Sequence, residues 1–449
     1  MVDSIPLVES DTFVSKNVYN DIEFFANYSN DAKSRTIFDT YTDLNLQGGS
    51  ALAKRVLSLP QSDKALLQNR SNVLQTFENK WVDEDKIYFQ AMKDNEASVL
   101  WLFEQQEKHV EDLFNILYFR FAFLRGLNNS PSLLGFYNIY RILISPLIGI
   151  LSPIVYVLIP FLVITWKLKI PISFKDYIKF FFNTLLSSQD FFFSTPSNMK
   201  YVRFISYVFS LIFYFQGMFN SVEISRTLYK ICSFIITKFN GVVRYVKASN
   251  HLISKYWDDN IIGTFIKPNE IFKEANIESS YVGKLRDVRF SIFSNFGRQL
   301  HDYKYISKDL ITSLLSKSYV LDFMFATCTY RKKNGYSFAS YTDNVQPYVL
   351  LQGARHPCLE HDVVKNDFEL KDRNVIITGP NAGGKSTFIK TFITCIILSQ
   401  TVCISPSDVC ELTPFKNIVS QINVPDCKGK ESLFEAEMHR CQETTPTVC

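Results

Sequence analysis

The 449-residue chain has no Cys-x-x-Cys pair, and its nine cysteines are odd in number and crowd toward the C-terminal end. That pattern argues against a zinc cluster and a disulfide framework, and fits free thiols in a reducing compartment. Met1 to Asn30 carries acids and no early apolar core, so no secretory signal is read there. A formal charge of +4 is too small to mark a nucleic-acid surface by itself. With 47% hydrophobic and 20% charged residues the chain is not disordered, and its length suggests about two to four domains. Its 40 Phe and 23 Tyr read as compositional bias.

What is present is a phosphate-binding loop: Gly379, Pro380, Asn381, Ala382, Gly383, Gly384, Lys385, Ser386 and Thr387. A strand-like run, Asn374 to Thr378, precedes it and a helix-like run, Lys385 to Gln400, follows. Glycines at 379, 383 and 384 let successive N–H groups turn toward phosphate oxygens, and the helix start adds its positive dipole end. Lys385 would reach the β- and γ-phosphates of ATP, and Ser386 would offer its hydroxyl to Mg²⁺.

The surrounding residues resemble the MutS family of DNA mismatch-repair ATPases. The loop is similar to that family's Gly-Pro-Asn-x-Gly-Gly-Lys-Ser-Thr, with Ala382 where Met is usual. Gly353-Ala-Arg355-His356-Pro357 resembles the element that opens the family's ATPase domain, and Asn366 falls where the family has an Asn before its central strand. Ser432-Leu-Phe434-Glu-Ala-Glu437-Met438 resembles the Ser-x-Phe-x-x-Glu-Met signature. The resemblance implies ATP bound at paired sites in a homodimer or heterodimer, with Ser432 of one subunit closing on the γ-phosphate held by the other. It also implies DNA as a partner.

A second match, Gly49-Ser50 through Pro60 with Arg70 and Val73, resembles the opening of the MutS core. There Ser50 reads as an N-cap, Leu52, Val56 and Leu57 as an apolar stripe, and Pro60 as a stop. Lys308 to Tyr330, with Asn334-Gly335-Tyr336, resembles the family's returning core helix.

Mid-chain, Ile142 to Trp166 runs 25 residues without a charge and Phe204 to Val222 runs 19. Each can cross a hydrocarbon core about 30 Å thick. Pro146, Pro153 and Pro160 are seven apart, share one helix face and should bend the first segment. Trp166 and Lys167 read as an interfacial edge. The other reading of both runs is buried soluble helices, the second carrying Gln216 and Asn220. Membrane insertion as a hairpin is favoured, with both soluble parts on the cytosolic side where ATP is. Lys167, Lys169, Lys175, Lys179, Lys200 and Arg203 load the connecting loop, so the positive-inside rule does not set the topology. Phe180 to Leu186 and Phe191 to Phe193 could lie in the interface, and Leu228 to Phe239 is too interrupted for a third crossing.

The hairpin stands where the MutS family places a DNA clamp, between an outgoing lever of roughly Asn95 to Leu127 and a returning region of roughly Asn250 to Tyr330. Phe272-Lys-Glu274 fits the family's Phe-x-Glu wedge pattern but reads as coincidence, and the mismatch-reading domain is not matched. The second acidic (Walker B) strand expected beyond Met438 is not found in His439 to Cys449. Asp408 and Glu411 as substitutes read as a solvated loop, and His356 as structural. Val363 and Val364 stand where the family's adenine-stacking aromatic would be.

The expected fold is α + α/β: an N-terminal extension at 1–32, a helical MutS-like core and outgoing lever at 33–140, and a transmembrane helix pair at 141–223. Returning lever and core helices follow at 224–345, and an incomplete P-loop ATPase domain at 346–449. The expected function is membrane-anchored binding of ATP and Mg²⁺ with hydrolysis near background, and the family resemblance implies binding of mismatched DNA and ATP-dependent DNA repair or recombination. The alternatives are an ATP-sensing scaffold without DNA, an inert truncated product, and a transporter ATPase, the last disfavoured because no Leu-Ser-Gly-Gly-Gln run exists.

Overall fold

The computed structural model describes residues 3, 5–15, 17–27, 35–41, 43–104, 112, 115–187, 199–269, 272, 301–302, 306–344, 346–359, 363–371, 374–422 and 438. The chain divides into two compact units, one made of 1–99, 242–285 and 307–449, the other of 100–241 and 286–306. In order, the main elements are β1 (Phe13–Val14), α1 (Gln47–Leu57), α2 (Lys64–Lys80), α3 (Lys86–Glu104), α4 (Pro131–Lys167), α5 (Phe174–Ser187) and α6 (Met199–Tyr256). There follow α7 (Lys308–Asn334), β2 (Ser337–Phe338), β3 (Ser340–Tyr341), β4 (Tyr348–Ala354), β5 (Asn366–Lys371), α8 (Lys385–Val402), β6 (Ile404–Ser405), β7 (Val409–Leu412) and β8 (Asn417–Ile418).

In the first unit, α1 lies against α7 because two consecutive glycines leave room. A Cβ on Gly48 would fall inside the Tyr319 ring, and one on Gly49 would collide with the Asp322 carboxylate. The expected stripe holds, with Leu52, Val56 and Leu57 all buried. The expected cap does not. The helix opens at Gln47, and Ser50 is inside it, its N–H donating to the Leu46 carbonyl at 3.0 Å. The orphan N–H groups of this helix start are met by two buried carboxylates distant in sequence. Asp322 accepts from Leu46 N–H at 2.9 Å and Asn45 N–H at 3.1 Å, and Glu96 accepts from Gln47 at 2.9 Å and Gly48 at 3.2 Å.

A four-stranded sheet runs in the order β3-β7-β4-β5, with β4 antiparallel to both neighbours and β3 parallel to β7. Its inner face packs on α8 around Tyr341, Val349, Leu351, Cys395, Cys410 and Leu412. Burial pushes the Cys395 and Cys410 thiols up, so they sit as small apolar groups. Cys427, Cys441 and Cys449 lie outside the described residues.

The strand expected at Asn374 to Thr378 is a correction: this run is in no strand, and Ile376 is 87% exposed. An apolar run of this kind becomes a strand only when neighbours on the sheet accept its hydrogen bonds, and no described segment pairs with it. Glu411 departs the other way. It sits in β7, opposite Ser340 and Leu350, where the sequence suggested a loop. The returning helix is found as α7. Phe272 is buried and stacks on Trp257 at 6.0 Å, a packing role; Lys273 and Glu274 lie outside the described residues. Of the outgoing lever, Asn95 to Glu104 lies in α3 and Ala122–Asn129 contains a 3-10 segment, while 105–111, 113 and 114 lie outside the described residues.

In the second unit, α4 is the one helix among the described residues long and apolar enough to cross a membrane, and none of its apolar window is buried. It carries Pro153 and Pro160 inside it and π turns at Tyr140–Ile144 and Val163–Lys167. The second apolar run lies within α6, which continues to Tyr256 and buries Leu228, Cys232, Ile235 and Ile236 on the way. Pro146 and Pro153 deprive the carbonyls of Ile142 and Gly149 of their usual donors. On α6, Ser225 donates to the first and Tyr214 to the second, the latter at 2.9 Å. As residue numbers fall along α4 they rise along α6, so the two run antiparallel. The α5 helix folds back along α4, with Tyr177 donating to the Val157 carbonyl at 3.0 Å and Phe161 meeting Phe174 and Tyr177 at 5.1 Å. Phe180 is exposed, and Phe191 to Phe193 lie outside the described residues.

Candidate nucleotide site

The phosphate loop spans Gly379 to Gly384 and hands over to α8 at Lys385, as the sequence spacing predicts. Gly384, at φ +79°, is the residue before the helix, a left-handed position where a side chain would be strained. Ala382 adopts φ +61° as well, so the loop bends twice in four residues. A Cβ on Gly383 would come within 3.0 Å of the Pro380 carbonyl, which accepts the Gly383 N–H at 3.1 Å. These contacts make a tight cradle.

Lys385 turns back over that cradle. Its ammonium donates to the carbonyls of Gly379 at 2.7 Å and Pro380 at 2.6 Å, while Ser386 and Thr387 stay exposed beside it. A positive charge, the N-terminal N–H groups of an 18-residue helix and two hydroxyls therefore share one exposed mouth. This donor set fits a nucleotide polyphosphate and a magnesium ion. Asn366 opens β5, and Phe368 on that strand packs edge-on against Phe388 at 5.7 Å and Phe392 at 4.8 Å of α8. Asn366 is thus on the strand beside the loop's helix, its amide bonded to the Val364 carbonyl at 3.2 Å. Ser432, Phe434 and Glu437 lie outside the described residues.

The far end of α8 is latched to the core. Gln400 donates its amide to the carbonyls of Gln61 at 2.7 Å and Phe415 at 2.8 Å, and accepts from the Phe415 N–H at 2.9 Å. Arg70, 2% exposed, donates to the carbonyls of Thr401 at 2.6 Å and Thr264 at 2.7 Å and lies over the Phe265 ring at 4.6 Å. A guanidinium against the last carbonyls of a helix offsets the negative end of its dipole. In the sequence Arg70 stands out only as a position of the core match. Gln400 gave no signal at all.

Arg355 is a clamp. It donates to Asp408 at 2.8 Å and to the carbonyls of Asn334 and Gly335 at 2.8 Å each, joining the end of α7 to the sheet. Asp408 also holds Lys365 at 2.7 Å, and those two bonds keep its carboxyl below the usual range. It is engaged away from the loop. Gly353, at φ +63°, is required because a Cβ there would meet Asp408. Burial, and then Lys390, pull the His356 pKa down to about 4, and its Nδ1 accepts from the Cys358 N–H at 3.3 Å. A neutral imidazole spent on a backbone N–H is structural, as expected.

The pattern for MutS domain V matches residues 375–446. The DNA mismatch repair protein Msh6 of Gallus gallus is 25% identical over 213 residues, covering 43% of this chain and 15% of that protein. MutS of Shouchella clausii is 28% identical over 182 residues, 39% of this chain and 20% of its own length. The mismatch repair protein msh-2 of Neurospora crassa reaches 40% over 97 residues, 20% of this chain and 10% of its own. The aligned part thus spans a fifth or less of each of these relatives.

Proposed function

Because this is a MutS-family protein, we propose that it binds ATP with Mg²⁺ through the loop at 379–387 while a helical hairpin holds it in a membrane. The observation that carries the first half is the loop itself, with Lys385 folded over two of its carbonyls at a helix N-terminus. Lys385 would exchange those carbonyls for phosphate oxygens, backbone N–H groups of the loop would bind and orient the polyphosphate, and Ser386 would hold the metal, which supplies charge neutralisation there. Asn366 would contact the nucleotide from β5, and Ser432 would close on the γ-phosphate bound by a second subunit in a homodimer or heterodimer.

Support for the membrane half comes from α4, whose most apolar stretch is unburied, and from α6 donating to two carbonyls that prolines deprive of their backbone donors, of which Gly149 also takes the Ser152 hydroxyl at 3.0 Å. In hydrocarbon each such carbonyl left alone is costly, so the pairing suits a lipid setting. Both soluble parts would then face the cytosol.

The relatives named above are DNA mismatch repair proteins, and we extend the same class of partner to this chain. With the hairpin in the clamp's place, the contact with DNA would be weak, non-specific and steeply salt dependent. Fluorescent ATP titrated into detergent-purified protein tests the central claim, with phosphate release and duplex binding measured on the same sample. Saturable, Mg²⁺-dependent binding lost on Lys385→Ala is expected, and equal binding by both proteins would discard the site. Retention in the pellet after a carbonate wash, with release on deleting 142–222, tests the anchor.

A further inference from the structure

Beside the foot of α4 lies an open cavity of about 830 Å³ whose mixed wall includes Arg120, Arg125, Asn115 and Asp112. We propose that it takes the headgroup of an anionic glycerophospholipid. The inference rests on the membrane reading and adds a specific lipid contact to it.

The wall is fixed to the start of the apolar helix. The Asn138 amide donates to the Leu117 carbonyl at 3.0 Å, Arg141 donates to the Ile116 carbonyl at 2.7 Å, and the rings of Phe119 and Tyr137 stack at 4.1 Å. The Asn128 side chain closes the other side, accepting from the Phe119 N–H at 2.8 Å and donating to its carbonyl at 3.3 Å. The cavity is therefore held at the level where α4 leaves its polar surroundings. Phe121 and Phe123, the latter 82% exposed, stand on the same segment. Aromatic rings beside arginines at the end of an apolar helix are the composition of a lipid headgroup layer.

Neither Arg120 nor Arg125 forms an ion pair among the described residues, so both guanidinium groups are available to a phosphodiester, which they can bind through paired N–H donors. Asn115 adds an amide. Among the described residues of the wall Asp112 is the one carboxylate, and with the two arginines these residues carry an excess of one positive charge. A soluble phosphate would use the guanidinium groups alone. Only a lipid would also engage the exposed phenylalanines and the bare flank of α4.

Vesicle flotation of the full chain decides it, with phosphatidylcholine alone and with phosphatidylserine added. Wild type should float with both and prefer the anionic vesicles. The Arg120→Gln, Arg125→Gln double variant should still float with neutral vesicles, which reports an intact hairpin. It should lose roughly 5-fold of the preference per arginine, about 25-fold for the pair. A Lys167→Gln, Lys169→Gln variant, altered at the opposite end of α4, should keep most of it. Inorganic phosphate at matched ionic strength should not compete. Flotation without any headgroup preference, a preference that survives loss of both arginines, one that disappears instead with the lysines, or one abolished by inorganic phosphate would each overturn the assignment. Failure to float with either vesicle would count against the membrane reading itself.

Discussion

Tyr214 on α6 donates its hydroxyl to the carbonyl of Gly149 on α4, the acceptor that Pro153, four residues on, cannot serve. Proline and tyrosine are therefore complementary across the two helices. Ser225 does the same for Ile142, four residues before Pro146.

That complementarity is measurable. Tyr214→Phe should cost roughly 0.5 to 2 kcal/mol in a detergent unfolding assay. Pro153→Ala restores an N–H to the Gly149 carbonyl, so Tyr214→Phe on that background should cost less. Equal costs on both backgrounds would show that the hydroxyl is not compensating for the proline.

Lys385→Ala removes a charge-assisted contact to phosphate worth roughly 1.5 to 3 kcal/mol, about 10- to 150-fold in nucleotide affinity. Titration with fluorescent ATP reads it directly. Folding should be untouched, because the lysine's present bonds are exposed ones to two loop carbonyls. A variant that binds as wild type does would leave the loop without its assigned role.

Asp322 gives the first unit a pH dependence of definite sign. Burial, with the Glu96 charge a lesser cause, pushes its pKa up to about 7 against the bonds from Leu46 and Asn45 that lower it. An unfolded Asp titrates near about 3.9. Between those values the folded chain binds more protons than the unfolded chain, so this group's contribution to stability falls as pH rises from about 4 to 7. Asp322→Asn should flatten that slope in thermal melts taken across the window, and parallel curves for the two proteins would refute it.

The Gly48 position is equally testable. Gly48→Ala pushes a methyl into the Tyr319 ring, and overpacking of this kind costs roughly 1 to 3 kcal/mol. Tyr319→Leu made with it should lose less than the two single changes summed. An additive result would mean that α1 and α7 do not meet there.

Which parts were legible in the sequence follows from how local their causes are. The phosphate loop and α7 are written in consecutive residues: glycines before a lysine, and an apolar helix pattern ended by Gly335, which caps it at φ +62°. Asn374 to Thr378 reads as a strand because its side chains are right. Strands, however, are stabilised by partners, and the described residues offer it none. Ser50 reads as a cap because its chemistry is right, yet the N–H groups of α1 are met by Glu96 and Asp322. Only the Gly48-Gly49 pair hinted that another helix approached so closely. Arg70 and Gln400 bond to carbonyls far along the chain, and no spacing rule reveals such contacts.

The latch at Gln400 constrains how α8 can move. A slide of one turn along its axis would break four hydrogen bonds at once, two with the backbone of Gln61 and two with that of Phe415. A tilt pivoting on Gln400 would not. From that fulcrum to Lys385 the helix measures roughly 22 Å at 1.5 Å per residue, so a tilt of about 5° swings the lysine by about 2 Å. The loop end is thus the tip of a rod whose bearing is Gln61 on one side and Phe415 on the other.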